Sequence, residues 1–443
     1  MSLRSVIESA RLSGDLVTIG RTVDLNYELA NVAHALEGSL ALFESIEGYP
    51  GWRVLSGQCA DRRFLSMGLG ISPENLMHHL AKAIENATPP EMVEKGLCQE
   101  VVIRDVDLNA LPIPLHLAQD AGHYIASEVV IVKDPEFGRN MCYHRLLRLD
   151  ARHFAARIIE NRGTHAAMQK VEGDLPVAIC IGVSQAVHLA ASMSPPPGID
   201  ELSVAQALAP TPLVKCLTVD LEVPADAEIV LEGRITRQLV KEGPFMDLTE
   251  TMDIVRDQPV IEIDLITHRR NPIFHALLPG GLEHKMLMGM PREPTIFAEV
   301  NKVANCTGVS ITPGGASWLH AVVQINKQGP DDGIRAIEAA FRGHKSLKHV
   351  WIVDTDIDIH NPQEVEWAVA TRFQADKNLV VFEDQPGSSL DPSGVHIPGK
   401  KSRTAKMGLD CTIPWGADRG KFLKGAYGEV VLADYVGGVE RDS

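Results

Sequence analysis

The sequence predicts a mixed α/β (α+β) fold in three parts, and three changes of texture predict it. Residues 1–100 mix helical spacing with short strand candidates. Residues 101–300 are dominated by short β-prone runs separated by turns, and residues 301–443 alternate helix, strand and helix. In the first part, residues 3–10, 30–35 and 74–84 carry helical spacing, the last closed by the Thr88-Pro89-Pro90 breaker; residues 42–44 and 52–55 read as strands. In the second, the runs VVI, SEVVIV, MCYHRLLRL, VAICIGV, LVKCLTVDLEV, EIVLEGRI and VIEIDLITH predict a barrel or sandwich-like core. Helical passages around 154–159 and 201–208 interrupt them. In the third, helices at 331–341 and 362–372 flank a buried strand at 349–353, and residues 387–403, rich in Gly, Ser and Pro, predict a mobile loop.

Length and composition bound the function classes. The chain has 443 residues, enough for two or three domains and an ample core. Its 42 basic against 58 acidic residues give a formal charge of −16, which argues against nucleic acid or an anionic membrane as partner. An anionic ligand therefore needs a local cluster of Arg and Lys. The seven cysteines are scattered without a CxxC pair, as expected of reduced thiols in cytoplasm rather than disulfides or a zinc site. The N-terminal MSLRSVIESARLSGDL reads as an amphipathic helix without a signal peptide's apolar core, and no run approaches a membrane span. A soluble cytoplasmic protein is expected. Walker A, GxGxxG, GxSxG and HExxH signatures are all absent, so nucleotide, serine-hydrolase and zincin chemistries have no motif behind them.

The stretch EIVLEGRITRQLVKEGPFMD alternates like a half-buried strand through Ile229, Leu231 and Ile235, then stops at Gly243-Pro244. Glu242 and Asp247 stand on either side of that turn. Two carboxylates so held suit one acid and one charge stabiliser, while a solvated acidic turn is the plainer alternative. Asn140 and Arg145 are five residues apart in NMCYHR and would face opposite sides of a regular strand. A kink is needed if both serve one site. Asn140, His165 and Glu201 offer a neutral oxygen, an imidazole and a carboxylate, a donor set for a divalent cation of the Mn²⁺ or Mg²⁺ type, although no spacing rule joins them. Arg162-Gly163-Thr164-His165 follows a helical run. His284, Lys285 and Arg292 concentrate positive charge where an anion could dock, against the alternative of a salt-bridged surface loop. Lys406, in a short extended piece after the 387–403 loop, can reach a phosphate or be merely solvated.

Taken together, the stretches DAGHYIASEVVIVKDPEFGRNMCYHR, HLAASMSPPPGIDELSVAQAL, LEGRITRQLVKEGPFMD, LPGGLEHKMLMGMPREP, ATRFQADKNLVV, GSSLDPS and KMGLDCT resemble the UbiD family of prenylated-FMN-dependent decarboxylases. They run in order from about residue 120 to 412. The resemblance implies an N-terminal α/β segment, a split-β-barrel domain holding prenylated FMN, and a C-terminal α/β domain for oligomerisation, as a homodimer or a hexamer. It implies reversible, non-oxidative decarboxylation of an aromatic or heteroaromatic, α,β-unsaturated acid, the cofactor supplying the electron sink. Carried over, the catalytic network falls on Arg145, Glu242 and Asp247, with Asp247 delivering the proton. The metal ligands fall on Asn140, His165 and Glu201, holding the cofactor phosphate through Mn²⁺ (or Mg²⁺) with K⁺ (or Na⁺) nearby; the histidine departs from the expected spacing. Tyr143, His144, Ser192, Met193 and Lys406 correspond to cofactor contacts. His284 and Arg292 match, at the same spacing, the pair that binds the second carboxylate in the furan-2,5-dicarboxylate branch, which makes that acid the first choice of substrate. Indole, pyrrole or hydroxybenzoate monoacids, or a cofactor-binding subunit of a larger carboxylase, are the alternatives. A flavin prenyltransferase is implied as the cofactor's supplier.

Overall fold

The computed structural model describes residues 2–397, 400–425, 428 and 430. Three sheets organise it. The first has four strands: Leu16–Ile19 runs parallel to Leu40–Phe43, which is antiparallel to Arg53–Ser56. Its fourth strand, Ile273–His275, arrives from more than two hundred residues later and pairs parallel to Arg53–Ser56. The helix Leu3–Ser13 covers this sheet with Leu3, Val6, Ile7 and Ala10, starts on a Ser2 side-chain cap, and ends at Gly14 with φ of 82°.

The central sheet has nine strands built around one long antiparallel pair, Ile229–Glu242 with Arg256–His268. Leu175–Ile181, Val129–Asp134 and Gly138–Cys142 extend it on one side; His153–Ala156, Leu146–Arg148 and Tyr124–Ile125 extend it on the other. Among the described residues no ladder joins the two ends, so the sheet stays open rather than closing into a barrel. Alternation decides its faces. Ile229, Leu231 and Ile235 enter the core between this sheet and the N-terminal part, as the sequence predicts, while Val129, Ile131 and Cys180 face the helices Gln185–Ser192 and Glu201–Leu208. The helical passage predicted at 154–159 is instead the strand His153–Ala156. Phe154 and Ala155 are wholly buried between two neighbouring strands, and that packing overrides a local pattern that reads equally well as helix. The run predicted to precede His165 as a helix is irregular, and the helix begins at Gly163, running Gly163–Lys170.

The third sheet orders Cys306–Ile311, His320–Ile325, His349–Asp354, Arg403–Asp410 and Leu379–Pro386. The helices Asp332–Gly343 and Pro362–Arg372 pack against it, in line with the predicted helix–strand–helix order. Within the loop predicted at 387–403, residues 398 and 399 lie outside the described residues. No described helix is long and apolar enough to cross a membrane.

One buried carboxylate ties the first part to the second. Glu228 is fully buried at the head of the long strand; Arg4 donates to it at 2.8 and 2.7 Å, the Ile273 amide at 3.1 Å, and Arg269 stands at 3.4 Å. Removing one member of such a cluster leaves the others desolvated and unpaired. Glu228→Ala is therefore expected to cost about 3 kcal/mol of stability, read from the urea midpoint; a loss below about 1 kcal/mol would refute the tie.

Candidate active site

The long strand ends at Glu242, and the turn that follows carries Phe245–Met246 into a small hairpin with Met252–Asp253. Across the sheet, the strand Gly138–Cys142 stops and Leu146–Arg148 begins, leaving residues 143–145 outside both. That break is the kink the Asn140-to-Arg145 spacing requires. It lets Arg145 reach the end of the long strand.

There the guanidinium meets three carboxylates. Arg145 Nε donates to Glu242 Oε1 at 2.8 Å and Nη2 to Oε2 at 3.1 Å, a two-point grip. Nη2 also donates to Asp253 at 2.9 Å, and Nη1 lies 3.7 Å from Asp247 Oδ2. Tyr124, wholly buried, donates its hydroxyl to Glu242 at 3.0 Å and accepts the Gly243 amide at 3.2 Å. Burial works against the charge on Arg145, but Glu242, Asp253 and Asp247 outweigh it and raise its pKa. Burial also raises the Asp253 carboxyl, yet Arg256 and Arg145 bring it down to about 2. Asp247 is the most exposed of the three carboxylates, at 24% of its side chain. Its Oδ1 accepts the Leu248 amide at 2.6 Å. Tyr124 and Asp253 escaped the sequence reading: Tyr124 is more than a hundred positions from Glu242, and nothing distinguishes Asp253 from a turn acid before the hairpin folds.

The helix Leu282–Gly289 closes over this hairpin. Lys285 pairs with Glu250, and His284, its Nδ1 accepting the Gly280 amide at 3.1 Å, stands close enough to Asp247 and Arg145 to feel both. Burial lowers the His284 pKa against the pull of Asp247, so the ring is neutral near pH 7. Asp120, below the same loop, is pushed up to about 6 by burial, against the pull of backbone amides and of Arg145. Arg292 lies eight residues beyond His284, roughly 12 Å along a helix axis. It is half-buried, donates to Ser194 Oγ at 2.9 Å, and rests 5.8 Å from the Trp318 ring. Among the described residues no carboxylate pairs with it, and its Nε has no partner. Burial lowers its pKa and nearby Arg162 lowers it further, while His344 is driven down to about 3 by burial, with Arg292 and Lys406 contributing. A half-buried guanidinium among cations favours the approach of an anion.

In the strand Gly138–Cys142, Glu201 binds the residue that follows Asn140. Glu201 heads the helix Glu201–Leu208 and accepts the Met141 amide at 3.0 Å; burial pushes its carboxyl up to about 7. The Asn140 Oδ1 fits against Gly163 so closely that a Cβ there would lie 2.1 Å away, so only glycine admits it. Gly163 opens its helix, which puts free backbone N–H groups and Arg162 beside Asn140, a setting suited to a phosphate. Two oxygen donors at a phosphate site suit a hard divalent cation. His165 is half-buried and its Nδ1 accepts the Asn161 amide at 3.3 Å. Among the described residues no three His, Cys, Asp or Glu side chains cluster to hold a metal. His144 is committed elsewhere, to Arg157 O at 3.1 Å and Thr164 Oγ1 at 2.8 Å, and burial pushes it down to about 4. Tyr143 bonds His188 Nδ1 at 2.7 Å; Ser192 donates back into its own helix, to Leu189 O at 2.8 Å, and Met193 is buried in the core. Lys406 Nζ donates to the Lys345 carbonyl at 2.7 Å beside a cavity of about 370 Å³, where burial pushes it down to about 8.

Residues 7–84, 91–282 and 285–411 match the N-terminal, Rift-related and C-terminal domains of 3-octaprenyl-4-hydroxybenzoate carboxy-lyase. The chain belongs to the UbiD family. It is 41% identical over 397 residues to the anhydromevalonate phosphate decarboxylase of Methanocaldococcus jannaschii, covering 88% of this chain and 92% of that one. It is 37% identical to its counterpart from Methanothermobacter thermautotrophicus, covering 91% and 95%. Among solved structures, the UbiD-class enzyme HmfF from Pelotomaculum thermopropionicum in complex with FMN superposes with a TM-score of 0.93 at 37% identity, covering 98% of this chain and all of that one. An evolved dimeric form of HmfF with prFMN gives 0.89 at 35%, over 98% and 100%.

Because Glu242 is fully buried, deleting its counter-charge strands it. Arg145→Ala is expected to lose about 3–5 kcal/mol in chemical denaturation. The paired change Arg145→Met with Glu242→Leu should recover most of that. No recovery would show that the pair does not carry the cost.

Proposed function

We propose that this chain is a prenylated-FMN-dependent decarboxylase of an α,β-unsaturated carboxylic acid that carries a second anionic group. The observation that carries the reading is the convergence of Arg145, Glu242 and Asp247, residues that lie 97 or more positions apart from the first to the second yet share one contact set. The residue roles follow from their surroundings. Arg145 has Nε and Nη2 bound by Glu242 and Asp253, which leaves Nη1 to hold the substrate carboxylate next to Asp247. Glu242, pinned by Arg145 and Tyr124, fixes the guanidinium and balances its charge. Asp247, partly exposed, can exchange its proton with solvent and deliver it to the carbon that loses CO₂. Bound prenylated FMN supplies the electron sink for that loss. Its phosphate would be held by Asn140 and Glu201 through Mn²⁺ (or Mg²⁺), with the amide end of the Gly163–Lys170 helix and Arg162 alongside; His165 is the remaining candidate ligand and K⁺ a second ion.

Arg292 supports the second anionic group. Two acids fit it. Furan-2,5-dicarboxylate has the support of the His284–Arg292 spacing. Anhydromevalonate phosphate has the support of five relatives, 35–41% identical, that bear its decarboxylase's name, and of the cationic surroundings of Arg292, which suit a phosphate. The phosphorylated acid is the better match, since His284 and Arg292 face different neighbours, one Asp247 and the other Ser194. Co-expression with a flavin prenyltransferase, followed by CO₂ release from both acids and from indole, pyrrole and hydroxybenzoate monoacids, decides among them. A colourless preparation that releases no CO₂ from any of them refutes the reading.

Two substitutions test the roles. Asp247→Asn should keep the flavin absorbance spectrum of the wild type and lower kcat by about 10²–10⁴-fold; unchanged turnover would remove Asp247 as the acid. Arg292→Ala should raise KM for the doubly anionic acid by about 10-fold or more while barely affecting a monoacid of the same skeleton. Equal losses on both would remove Arg292 from substrate binding.

A further inference from the structure

Of the buried carboxylates near the candidate site, one has no partner. Glu128 follows Ser127 at the start of the strand Val129–Asp134 and is 1% exposed, yet neither of its side-chain oxygens makes a hydrogen bond. The other fully buried acids of this region are answered: Glu228 by two arginines and Glu242 by Arg145 and Tyr124, while Glu283, in the helix Leu282–Gly289, accepts the Gly57 and Cys59 amides and meets His275. An unanswered buried carboxyl is costly unless something absent from the bare protein meets it.

Its position says what that something is. The strand pairs Val130 with Cys142, and continuing the register by two residues sets Glu128 opposite His144, whose backbone N–H and that of Glu128 itself are near enough to act on the carboxyl. Residues 140–145 run from the Asn140–Glu201 end to Arg145, so Glu128 lies abreast of the middle of the span that a flavin would occupy. The surroundings are open to hydrogen bonding. Beside Tyr143, His188 Nε2 is also buried and unpartnered. Ser127 donates to the His275 carbonyl, and the His275 ring stands 5.0 Å from that of His188. Burial raises the Glu128 carboxyl, opposed by the backbone N–H groups of Glu128 itself and of His144 and by no cation; in its protonated form a carboxyl offers one O–H donor and one C=O acceptor.

We propose that Glu128 is a cofactor-binding residue that pairs with the imide edge of the flavin ring, its O–H and C=O meeting the ring's carbonyl and N–H. This rests on the flavin reading above and goes beyond it by assigning the ring's polar edge to a side chain. A group that only filled space would leave FMN affinity unchanged when replaced by an apolar side chain of like volume, a replacement that relieves desolvation of the apo-protein under either reading.

The test uses the full-length apo-protein with FMN as the probe. FMN affinity is measured by fluorescence quenching, the bound flavin's absorbance is recorded, and thermal stability is followed without flavin. Glu128→Met is expected to have an unchanged or higher Tm and to bind FMN at least 10-fold more weakly, whereas Glu128→Gln, which keeps a donor and an acceptor, should stay within about 3-fold of wild type. FMN binding by Glu128→Met equal to wild type overturns the assignment while leaving the flavin reading intact. Should Glu128→Met not fold, a loss of 10-fold or more in Glu128→Gln overturns it equally. Wild-type protein that binds no FMN overturns both.

Discussion

The ion pair between Arg145 and Glu242 is the constraint on which the site depends. Its two members arrive on different parts of the central sheet: Glu242 at the far end of a fourteen-residue strand, Arg145 in the break between two short ones. A carboxylate with no exposed surface has no alternative to its partner, so the pair fixes the end of the long strand against the 143–145 break. The bond from Tyr124 and the Phe245 ring, 5.0 Å from the guanidinium carbon, hold the same geometry from the other side. With Arg145 so held, Asp247 and Asp253 in the hairpin that follows Glu242 have one cation to face. The hairpin is then positioned from both ends, by Arg145 beneath and by Lys285 of the covering helix.

Buried charge in this protein divides into two kinds. One kind is answered within the chain and joins its parts. Glu228 fastens the N-terminal helix to the central sheet, Arg62 and Glu293 join the first part at 2.6 Å to the helix Glu293–Asn301 that packs on the third sheet, and Arg372 with Asp354 and Asp356 closes the third part on itself. The other kind is unanswered. Among the described residues, half-buried Arg292 has no carboxylate partner and an unpartnered Nε, and neither side-chain oxygen of buried Glu128 meets a partner. Desolvating such groups costs free energy that a ligand able to meet them would return. They stand on opposite sides of the Arg145 cluster in function, one facing what a substrate carries and the other what a cofactor offers.

The acidic net charge gives these local cations their selectivity. At −16 overall, the chain repels anions in general, so Arg292 and Lys406 near His344, with Arg162 near Arg292, are a local exception. Low dielectric around Arg292 strengthens its hold on an anion that does enter.

Much of this was legible in the sequence because it is local. The three-part organisation follows from changes in periodicity, the helix at Pro362–Arg372 from its spacing and start signal, and the faces of the long strand from the alternation of Ile229, Leu231 and Ile235. The residues of the Arg145 cluster were found through a resemblance between stretches, not through any rule of spacing. What only the tertiary structure decided is whatever depends on partners distant in the chain. Phe154 and Ala155 became strand because two neighbouring strands were waiting for them. Tyr124, Asp253 and Asp120 joined the site through folding, as did the loneliness of Glu128 and Arg292, which a sequence cannot express: an unsatisfied group is defined by what surrounds it. Periodicity is a property of one segment, and burial without a partner is a property of the whole molecule.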